Sequence, residues 1–502
     1  MKQLLSATLD GIDAKPVDVE ATFTKGLPAF GIVGLASSSI QEAKERVKAA
    51  LLTNGFSFPP LKITVNLSPS DLQKTGSHMD LAIALVIALQ NDPTELDNLY
   101  VFGELGLDGR LKDTRSIFPI LLSLKNQNLV TKAMVPVESL EKLSLIPGIT
   151  YIGVETLSEA VAVCKNEQAP KEVKATPIEG DSVEIGPERF HFLREYPEDF
   201  HDVKGQEVAK RAALIAAAGM HNMLMEGSPG CGKSMIAKRL CHILPPMSLD
   251  EILQANQYAL LGDEEPTFKP LRPFRSPHHS ASKPSVFGGG SSQARIGEVA
   301  LANGGILFFD EFPHFSKTVL EALREPLQDH RVLISRVNSK VAYTTRFMFV
   351  AAQNPCPCGN LLSSVQPCRC SDIEIKRYKQ RLSDPLLDRI EIYVQMQESG
   401  PDDRPSVDSA SMHQKVIDTF CRQMERGQRR LNGKLEEREI ESFCRLEGEA
   451  EAVLHKAVHS FGLSHRGVAN VKKVARTIAD LERSDSIEKA HLLEALSFRR
   501  RG

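Results

Sequence analysis

Apolar runs alternate with helix-patterned stretches over the first 165 residues. The segment 61–69, LKITVNLSP, is a β-branched run ending in turn residues, which predicts a strand. The segment 40–56, IQEAKERVKAALLTNGF, has apolar residues at helical spacing and Asn-Gly near its end, which predicts a helix and its C-terminus. The segment 99–111, LYVFGELGLDGRL, predicts a strand and then a hairpin with Asp-Gly at the turn. Residues 1–165 are therefore predicted to form an α/β or α+β domain of their own.

Changes in composition divide the rest of the chain. Residues 166–197 are rich in Pro, Glu and Lys and have little periodicity, which predicts a linker. A second α/β block, 198–396, is followed by another predicted linker, 397–411. The tail, 412–502, has almost no strand pattern and contains two helical stretches bounded by glycine, so it is predicted to be a small helical domain.

Composition narrows the class of protein. Of 502 residues, 42% are hydrophobic and 25% are charged, which excludes a disordered, collagen-like or fibrous chain. The net charge of −3 means that any contact with nucleic acid must come from a local patch. The longest apolar run, 81–89, is too short to cross a membrane, and the N-terminus lacks the apolar region and cleavage site of a signal peptide. We therefore expect a cytoplasmic protein with no membrane partner, whose nine cysteines stay reduced.

A predicted strand at 222–226 leads into the pattern G-x-x-x-x-G-K-S, and a predicted helix follows. Glycines allow backbone N–H groups to surround phosphate oxygens, and the helix N-terminus adds its dipole. The lysine supplies charge to the β- and γ-phosphates, and the serine hydroxyl ligates Mg²⁺. The predicted ATP-binding residues are Gly227, Ser228, Pro229, Gly230, Cys231, Gly232, Lys233 and Ser234.

Polar residues follow two more predicted strands. The apolar run Ile306–Phe309 ends in Asp310 and Glu311. Asp310 is predicted to hold Mg²⁺ through water, and Glu311 to orient and deprotonate the attacking water. The next strand, in FMFVAAQNP, ends at Asn354, which is a candidate to hold that water near the γ-phosphate.

Two arginines are candidates to stabilise charge on the transferred phosphate. Arg389 follows an apolar turn, where it would either reach the ATP of a neighbouring subunit or form a surface salt bridge. Arg466 lies near the start of a helix in the tail and is a candidate sensor of the γ-phosphate in the same subunit.

The order of these motifs resembles that of the magnesium-chelatase-like AAA+ ATPases, and most closely the bacterial ComM/YifB family. The similar segments, in chain order, are DVKGQ (202–206), the glycine-rich loop, RSPHHSAS (275–282), GEVALANGGILFFDE, LREPLQDHRVLISR, AAQNPCPCGN, RLSDPLLDRIEI and ARTIAD. The N-terminal segments KGLPAFGIVGL, ITVNLSPSDLQKTGS and MDLAIAL look like the Lon-protease-like domain of the same group.

The resemblance implies a fold, an assembly and an activity. The fold is a three-layer α/β AAA+ core with a helical lid, preceded by an α+β domain similar to domain 2 of ribosomal protein S5. The assembly is a hexameric ring with ATP at subunit interfaces. The activity is that of an ATP-driven DNA helicase that promotes branch migration in recombination and natural transformation. Its implied partners are single-stranded or branched DNA and recombinase-coated DNA.

The resemblance also assigns roles by position. Gly227 to Ser234 look like Walker A, Asp310 and Glu311 like Walker B, Asn354 like sensor 1, Arg389 like the arginine finger and Arg466 like the sensor 2 arginine; Gln206 of DVKGQ joins the ATP-binding set. A chelatase-type motor subunit that remodels a protein partner is the second hypothesis. An ATP-dependent protease is the third.

The protease hypothesis requires a serine and a lysine in the N-terminal domain. In Lon-like proteases the serine follows K-x-G-P, whereas KTGSH places His78 at that position and Ser77 one residue early. The position of the activating lysine falls on Phe118. A serine without its base is a poor nucleophile, so we expect a non-proteolytic scaffold or a collar on the DNA side. Ser77 as a shifted nucleophile remains the alternative.

Four cysteines fall in a fifteen-residue window with the pattern C-P-C-x₉-C-R-C. They are Cys356, Cys358, Cys368 and Cys370. In a reducing compartment four thiolates at this density suit one tetrahedral zinc ion, although C-x-C is tighter than the usual C-x₂-C. Four free thiols on a loop are the alternative.

Two further segments are candidates for contact with DNA. HRVLISRVNSKVAYTTR predicts a hairpin whose tip is flanked by Arg336 and Lys340. These cations would either track DNA phosphates in a ring pore or keep a solvated hairpin edge from aggregating. His278 and His279 lie in a basic loop with no acidic or cysteine partner nearby in the sequence, so a DNA-facing or interface role is expected rather than a metal site.

Overall fold

The computed structural model describes residues 3–92, 96, 98–169, 171, 176–289, 295–335, 340–398, 400, 402–446 and 448–500. The chain divides into two compact units. The first consists of Met1–Ile178 with the short segments Ala259–Phe268 and Ser335–Val341, and the second of Glu179–Tyr258, Lys269–Ile334 and Ala342–Gly502. Two short segments from the predicted range 198–396 therefore belong to the first unit.

The first unit is built on a seven-stranded mixed sheet. The described strands of this unit, seven in that sheet and two in a separate hairpin, are β1 (Gln3–Asp10), β2 (Asp13–Thr24), β3 (Ala29–Val33), β4 (Lys62–Ser68), β5 (Leu99–Val101), β6 (Glu104–Leu105), β7 (Leu111–Lys112), β8 (Lys132–Pro136) and β9 (Thr150–Val154). Its helices are α1 (Ser38–Thr53), α2 (Asp80–Ala88), α3 (Ile117–Asn126), α4 (Leu140–Leu143) and α5 (Leu157–Cys164). The sheet order is β3-β4-β2-β1-β5-β8-β9, and β6 pairs antiparallel with β7.

The predicted elements of the first unit are confirmed. The strand at 61–69 is β4, the helix at 40–56 is α1, and the hairpin with Asp-Gly at its turn is formed by β6 and β7. The apolar run 81–89 supplies α2, which is buried from Asp80 to Ile87. A helix that is apolar on every face must be enclosed by its neighbours, and α2 packs against α1, α5 and β2.

The remaining elements include the candidate nucleotide site. The strands are β10 (Asp181–Ile185), β11 (Glu188–Phe192), β12 (Met223–Glu226), β13 (Met247–Ser248), β14 (Phe274–Arg275), β15 (Ile306–Phe309), β16 (Arg331–Ser335), β17 (Lys340–Thr344), β18 (Met348–Gln353) and β19 (Ile392–Gln395). The helices are α6 (Glu207–Gly219), α7 (Lys233–Leu240), α8 (Leu249–Leu261), α9 (Lys283–Phe287), α10 (Glu298–Leu301), α11 (Lys317–Ala322), α12 (Arg324–Asp329), α13 (Asp372–Lys379), α14 (Asp384–Leu387), α15 (Ser409–Glu425), α16 (Glu437–Phe443), α17 (Glu449–Phe461), α18 (His465–Leu481) and α19 (Lys489–Ser497).

A five-stranded sheet with the order β14-β15-β18-β12-β19 forms the centre of the second unit, and all of its neighbouring strands are parallel. Every residue of β12, β15 and β18 is buried, as expected for a parallel sheet covered on both faces. The described part of the predicted helical tail folds into α15–α19, and α15 and α18 pack against α6.

The interpretation of 166–197 as a linker needs correction. The strands β10 and β11 form an antiparallel hairpin in this range, and β11 also pairs with β13. Val183 and Ile185 alternate with polar residues in one strand, as do Phe190 and Phe192 in the other, and Gly186 lies at the turn with a φ of +60°. The linker was predicted from the high Pro, Glu and Lys content of the whole segment, which does not reflect this short alternation of apolar and polar residues. Separately, none of the described helices has the length and apolar character needed to cross a bilayer.

Candidate functional site

The topology of the parallel sheet brings three predicted motifs to one edge. Because β18 lies between β12 and β15, the segments that follow these three strands emerge side by side at their carboxyl ends. The glycine-rich loop follows β12, Asp310 and Glu311 follow β15, and Asn354 follows β18. Ligands of open α/β sheets bind at this edge.

The glycine-rich loop has the backbone that a phosphate cradle requires. Gly230 and Gly232 have φ of +82° and +94°, a region that favours glycine. A Cβ on Gly227 would lie 2.7 Å from Cys231 Sγ, so the loop closes on itself too tightly for a side chain there. Helix α7 begins at Lys233, and its N-terminal end therefore faces the loop.

Lys233 is buried and its ammonium group spans the loop. Nζ donates to the carbonyls of Gly227 and Ser228 at 2.6 and 2.9 Å, and to Asn354 Oδ1 at 3.1 Å. The lysine and the predicted sensor therefore meet across the sheet edge. A charged donor held by neutral acceptors has its charge available for a phosphate.

Ser234 and Asp310 also meet. The Ser234 hydroxyl donates to Asp310 Oδ2 at 2.8 Å, although the two residues are 76 positions apart. Hydroxyl and carboxylate oxygens are ligands that suit Mg²⁺, so the donor set fits the predicted metal. Asp310 Oδ1 accepts the Glu311 backbone N–H at 2.9 Å, which fixes the start of the next turn.

Glu311 has a partner that the sequence did not reveal. His279 Nδ1 lies 3.0 Å from Glu311 Oε2, and the ring of His278 lies against that of His279 with centroids 4.1 Å apart and planes tilted by 35°. No acidic residue lies near the histidine pair in the sequence, so this neighbour is supplied by the fold. The strand β14 pairs directly with β15, so the residues after the two strands are brought together although they are distant in sequence.

The two candidate arginines converge on one glutamine. Arg389, with 9% of its surface exposed, donates to Gln328 Oε1 and to the Pro385 carbonyl, and Arg466 Nη2 donates to the same Gln328 oxygen at 3.2 Å. Burial and then the nearby charges of Arg466 and Arg324 lower the pKa of Arg389. The fold holds the two arginines together at Gln328, and the nucleotide that each one serves stays a prediction.

The four cysteines of the C-P-C-x₉-C-R-C pattern come together in space. All four Sγ atoms lie within 4.8 Å of one another. The Sγ of Cys356 is 3.4 Å from that of Cys358 and 3.6 Å from that of Cys368. Tetrahedral zinc with bonds of about 2.3 Å separates its sulfur ligands by about 3.8 Å, so the cluster has the dimensions of such a site.

The structure does not test the roles predicted for Gln206, Arg336 and Lys340. Gln206 immediately precedes α6 and donates from Nε2 to the Gln397 carbonyl at 2.6 Å, and its role in ATP binding stays a prediction. Arg336 lies outside the described residues, and so does the side chain of Lys340, so their DNA contacts also stay predictions.

The positions aligned with the protease residues belong to the core of the first unit. His78 is buried, with Nε2 at 2.8 Å from the Ala7 carbonyl oxygen, and burial lowers its pKa to about 4. Phe118 is fully buried and contacts Phe268. The Ser77 hydroxyl donates to the Glu104 carboxylate. These contacts account for how the three side chains are held in place.

Comparison with known proteins agrees with the site. The family model described as magnesium chelatase, subunit ChlI, matches residues 199–403; a ChlI subunit model matches 19–139, and a ChlI C-terminal model matches 406–499. Competence protein ComM of Haemophilus influenzae is 37% identical over 502 residues, which cover 97% of this chain and 95% of that protein. Uncharacterized protein YifB of Escherichia coli is 37% identical over 501 residues, with the same coverage.

A more distant relative extends the same relationship. An uncharacterized protein of Mycobacterium tuberculosis is 35% identical over 513 residues, which cover 99% of this chain and 98% of that protein. The AAA+ family to which the magnesium-chelatase models point hydrolyses ATP with Mg²⁺. The chain belongs to the ComM/YifB family of magnesium-chelatase-like AAA+ proteins.

Proposed function

We propose that the protein is an ATP-driven DNA helicase that forms a hexameric ring and promotes branch migration of recombination intermediates, as in natural transformation. The observation that carries the proposal is that Arg389 and Arg466 both donate hydrogen bonds to the side chain of Gln328. Because Gln328 is neutral, the positive charges of both arginines stay available for an anion. The resemblance implies that an arginine finger reaches the nucleotide of the adjacent subunit, and an arginine supplied in trans stabilises the charge of the transition state. The DNA substrate is supported by the relative named competence protein ComM, because competence is the ability of cells to take up DNA.

Within one subunit, the residues at the sheet edge have different roles in the proposed hydrolysis. Lys233 neutralises the β- and γ-phosphates, and Ser234 and Asp310 hold Mg²⁺, which neutralises charge on the same phosphates when bound. Glu311 takes the proton of the attacking water, and Asn354 orients that water. We infer from the shared Gln328 that Arg466 serves the same nucleotide as Arg389, and the resemblance of Arg389 to an arginine finger makes this the nucleotide of the neighbouring subunit.

The direct test is branch migration of a three-stranded DNA substrate by the purified protein with ATP. We expect product from the natural chain and none from Lys233→Ala. A second candidate, a motor subunit that remodels a protein partner, is favoured by the ChlI models that match the chain. ATP hydrolysis that proceeds without any response to DNA would favour the second candidate.

The four-cysteine cluster is proposed to hold one zinc ion per chain. The support is the separation of its sulfur atoms and the absence of a disulfide among the described cysteines. Elemental analysis of protein purified without added metal is expected to give one zinc per chain. Cys358→Ser should lower that content, whereas Cys421→Ser, which changes a cysteine in α15, should leave it intact.

The N-terminal domain is proposed to be a Lon-protease-like fold that serves as a non-proteolytic scaffold or DNA-side collar. The proposed domain limits are 1–165 for this domain, 198–396 for the ATPase core and 412–502 for the helical lid. Burial of His78 and Phe118 supports the loss of proteolysis. Arg336 and Lys340 are proposed to contact DNA phosphates. The protein is proposed to act in the cytoplasm, in keeping with the proposed DNA substrate.

A further inference from the structure

The first half of the cysteine loop lies directly against the phosphate-binding loop. A Cβ added to Gly359 would lie 2.6 Å from Cδ of Pro229 and 2.7 Å from its Cγ. Carbon atoms in favourable contact are about 3.5–4.0 Å apart, so only a glycine fits between the two loops. Gly359 also has a φ of +83°, which glycine adopts without strain. The backbone at Gly359 therefore supports Pro229 from one side.

The same segment contacts the phosphate-binding loop a second time. Asn354, five residues before Gly359, accepts a hydrogen bond from the Lys233 ammonium group at 3.1 Å. Between these two contacts lie Cys356, which is fully buried, and Cys358. The Gly359 N–H donates to the Cys356 carbonyl at 3.0 Å, so the segment is a tight turn. Two of the four sulfur ligands thus lie on a six-residue turn that contacts the phosphate-binding loop near both of its ends.

The other two ligands anchor this turn to a separate helix. Cys368 and Cys370 precede α13, whose N-terminus is closed by Ser371 and Glu374 in reciprocal hydrogen bonds. A metal ion bound to all four sulfurs joins the turn to the start of that helix. Without the ion, the distance between the two parts of the loop is set by weaker contacts. Metal occupancy then determines how firmly the turn can support Pro229 and Lys233.

We infer that metal binding by the four cysteines and nucleotide binding by the phosphate loop are thermodynamically coupled, with Gly359 as the positioning residue between them. The inference rests on the proposed metal site. Coupling of two binding equilibria is reciprocal: if metal raises the affinity for nucleotide by a given factor, nucleotide raises the affinity for metal by the same factor. A typical coupling factor is about 5- to 150-fold.

The test measures both sides of this cycle on the full chain. The apparent affinity for Zn²⁺ is determined by competition with a chromogenic chelator, with and without a non-hydrolysable ATP analogue and Mg²⁺. The affinity for the analogue is determined on zinc-loaded protein and on protein stripped of zinc under reducing conditions. We expect both affinities to rise, each by at least about 5-fold and by equal factors. If zinc binds equally well with and without nucleotide, the proposed coupling is wrong, whereas the proposed metal site is supported. If zinc does not bind at all, the proposed metal site is itself wrong.

A matched pair of glycine variants tests whether the coupling passes through the contact between Gly359 and Pro229. Gly359→Ala places a methyl group against Pro229, whereas Gly427→Ala changes a glycine with a φ of +84° and no atom within 4 Å of the added group. The two glycines have nearly the same positive φ, +83° and +84°, so the difference between the two variants reports the contact with Pro229. We expect Gly359→Ala to retain one zinc per chain and to lose most of the coupling factor, while Gly427→Ala keeps it. If Gly359→Ala kept the coupling factor of the natural chain, the contact between Gly359 and Pro229 would not transmit the coupling.

Discussion

Replacement of Arg389 by alanine tests whether the nucleotide site is shared between subunits. An arginine supplied in trans contributes about 10³- to 10⁵-fold to hydrolysis, so we expect Arg389→Ala to lower the rate by at least about 10³-fold with nucleotide affinity kept. The variant also loses two hydrogen bonds from a charged guanidinium group, to Gln328 and Pro385, worth about 1.5–3 kcal/mol each, but relieves repulsion from Arg466 and Arg324. The free energy of unfolding should therefore fall by less than about 6 kcal/mol.

Mixing inactive variants makes the test decisive. In a random 1:1 ring of Arg389→Ala and Lys233→Ala subunits, about a quarter of the interfaces combine an intact Lys233 with an intact Arg389 from the neighbour. Hydrolysis should recover toward about a quarter of the natural rate. A mixture of Arg389→Ala with Arg466→Ala should recover nothing, because every interface then lacks one of the two arginines that share Gln328.

Each result of the mixing experiment has one meaning. No recovery with Lys233→Ala at any ratio would contradict a shared site. Recovery in the mixture of the two arginine variants would show that Arg466 serves the nucleotide of its own subunit, against the shared position on Gln328. Sedimentation of each mixture with nucleotide checks that rings containing both variants have formed.

Two further predictions concern the catalytic base and the core of the first unit. Glu311→Gln should bind ATP normally and slow hydrolysis by about 10²- to 10⁴-fold, whereas the exposed control Glu325→Gln should hydrolyse normally; equal rates for the two variants would contradict the role of Glu311. Burial lowers the pKa of His78 from 6.5 to about 4. Between these two pH values the unfolded chain is protonated at this residue and the folded chain is not. The free energy of unfolding therefore falls as the pH is lowered from 6.5 to about 4, by up to about 3 kcal/mol. Urea unfolding between pH 7 and pH 4 should show a weaker pH dependence for His78→Gln, and an unchanged dependence would refute this assignment.

Local sequence patterns predicted the parts of the site that depend on neighbours in the chain. The phosphate-binding loop, the strand before Asp310 and the strand before Asn354 all carry their determinants within about ten residues. Parallel strands then bring them to one edge, so the meetings of Lys233 with Asn354 and of Ser234 with Asp310 agree with the predicted motifs.

Contacts between segments distant in sequence were not predictable in this way. The pairing of His279 with Glu311 depends on β14 lying beside β15, and the sharing of Gln328 depends on the packing of three separate segments. The contact of Gly359 with Pro229 leaves no sequence signal other than a glycine after a cysteine. The hairpin of β10 and β11 was missed because two strands of five residues each are too short to stand out in a charged stretch.

The central claim is that ATP hydrolysis is coupled to DNA. The most direct measurement is the steady-state rate of ATP hydrolysis by the purified full-length protein with no DNA, with duplex DNA and with forked or three-stranded DNA, at low and at high salt. We predict that forked or three-stranded DNA raises the rate and that salt weakens the response, since phosphate contacts release counterions. A rate that is the same with every DNA and at each salt concentration would contradict the account.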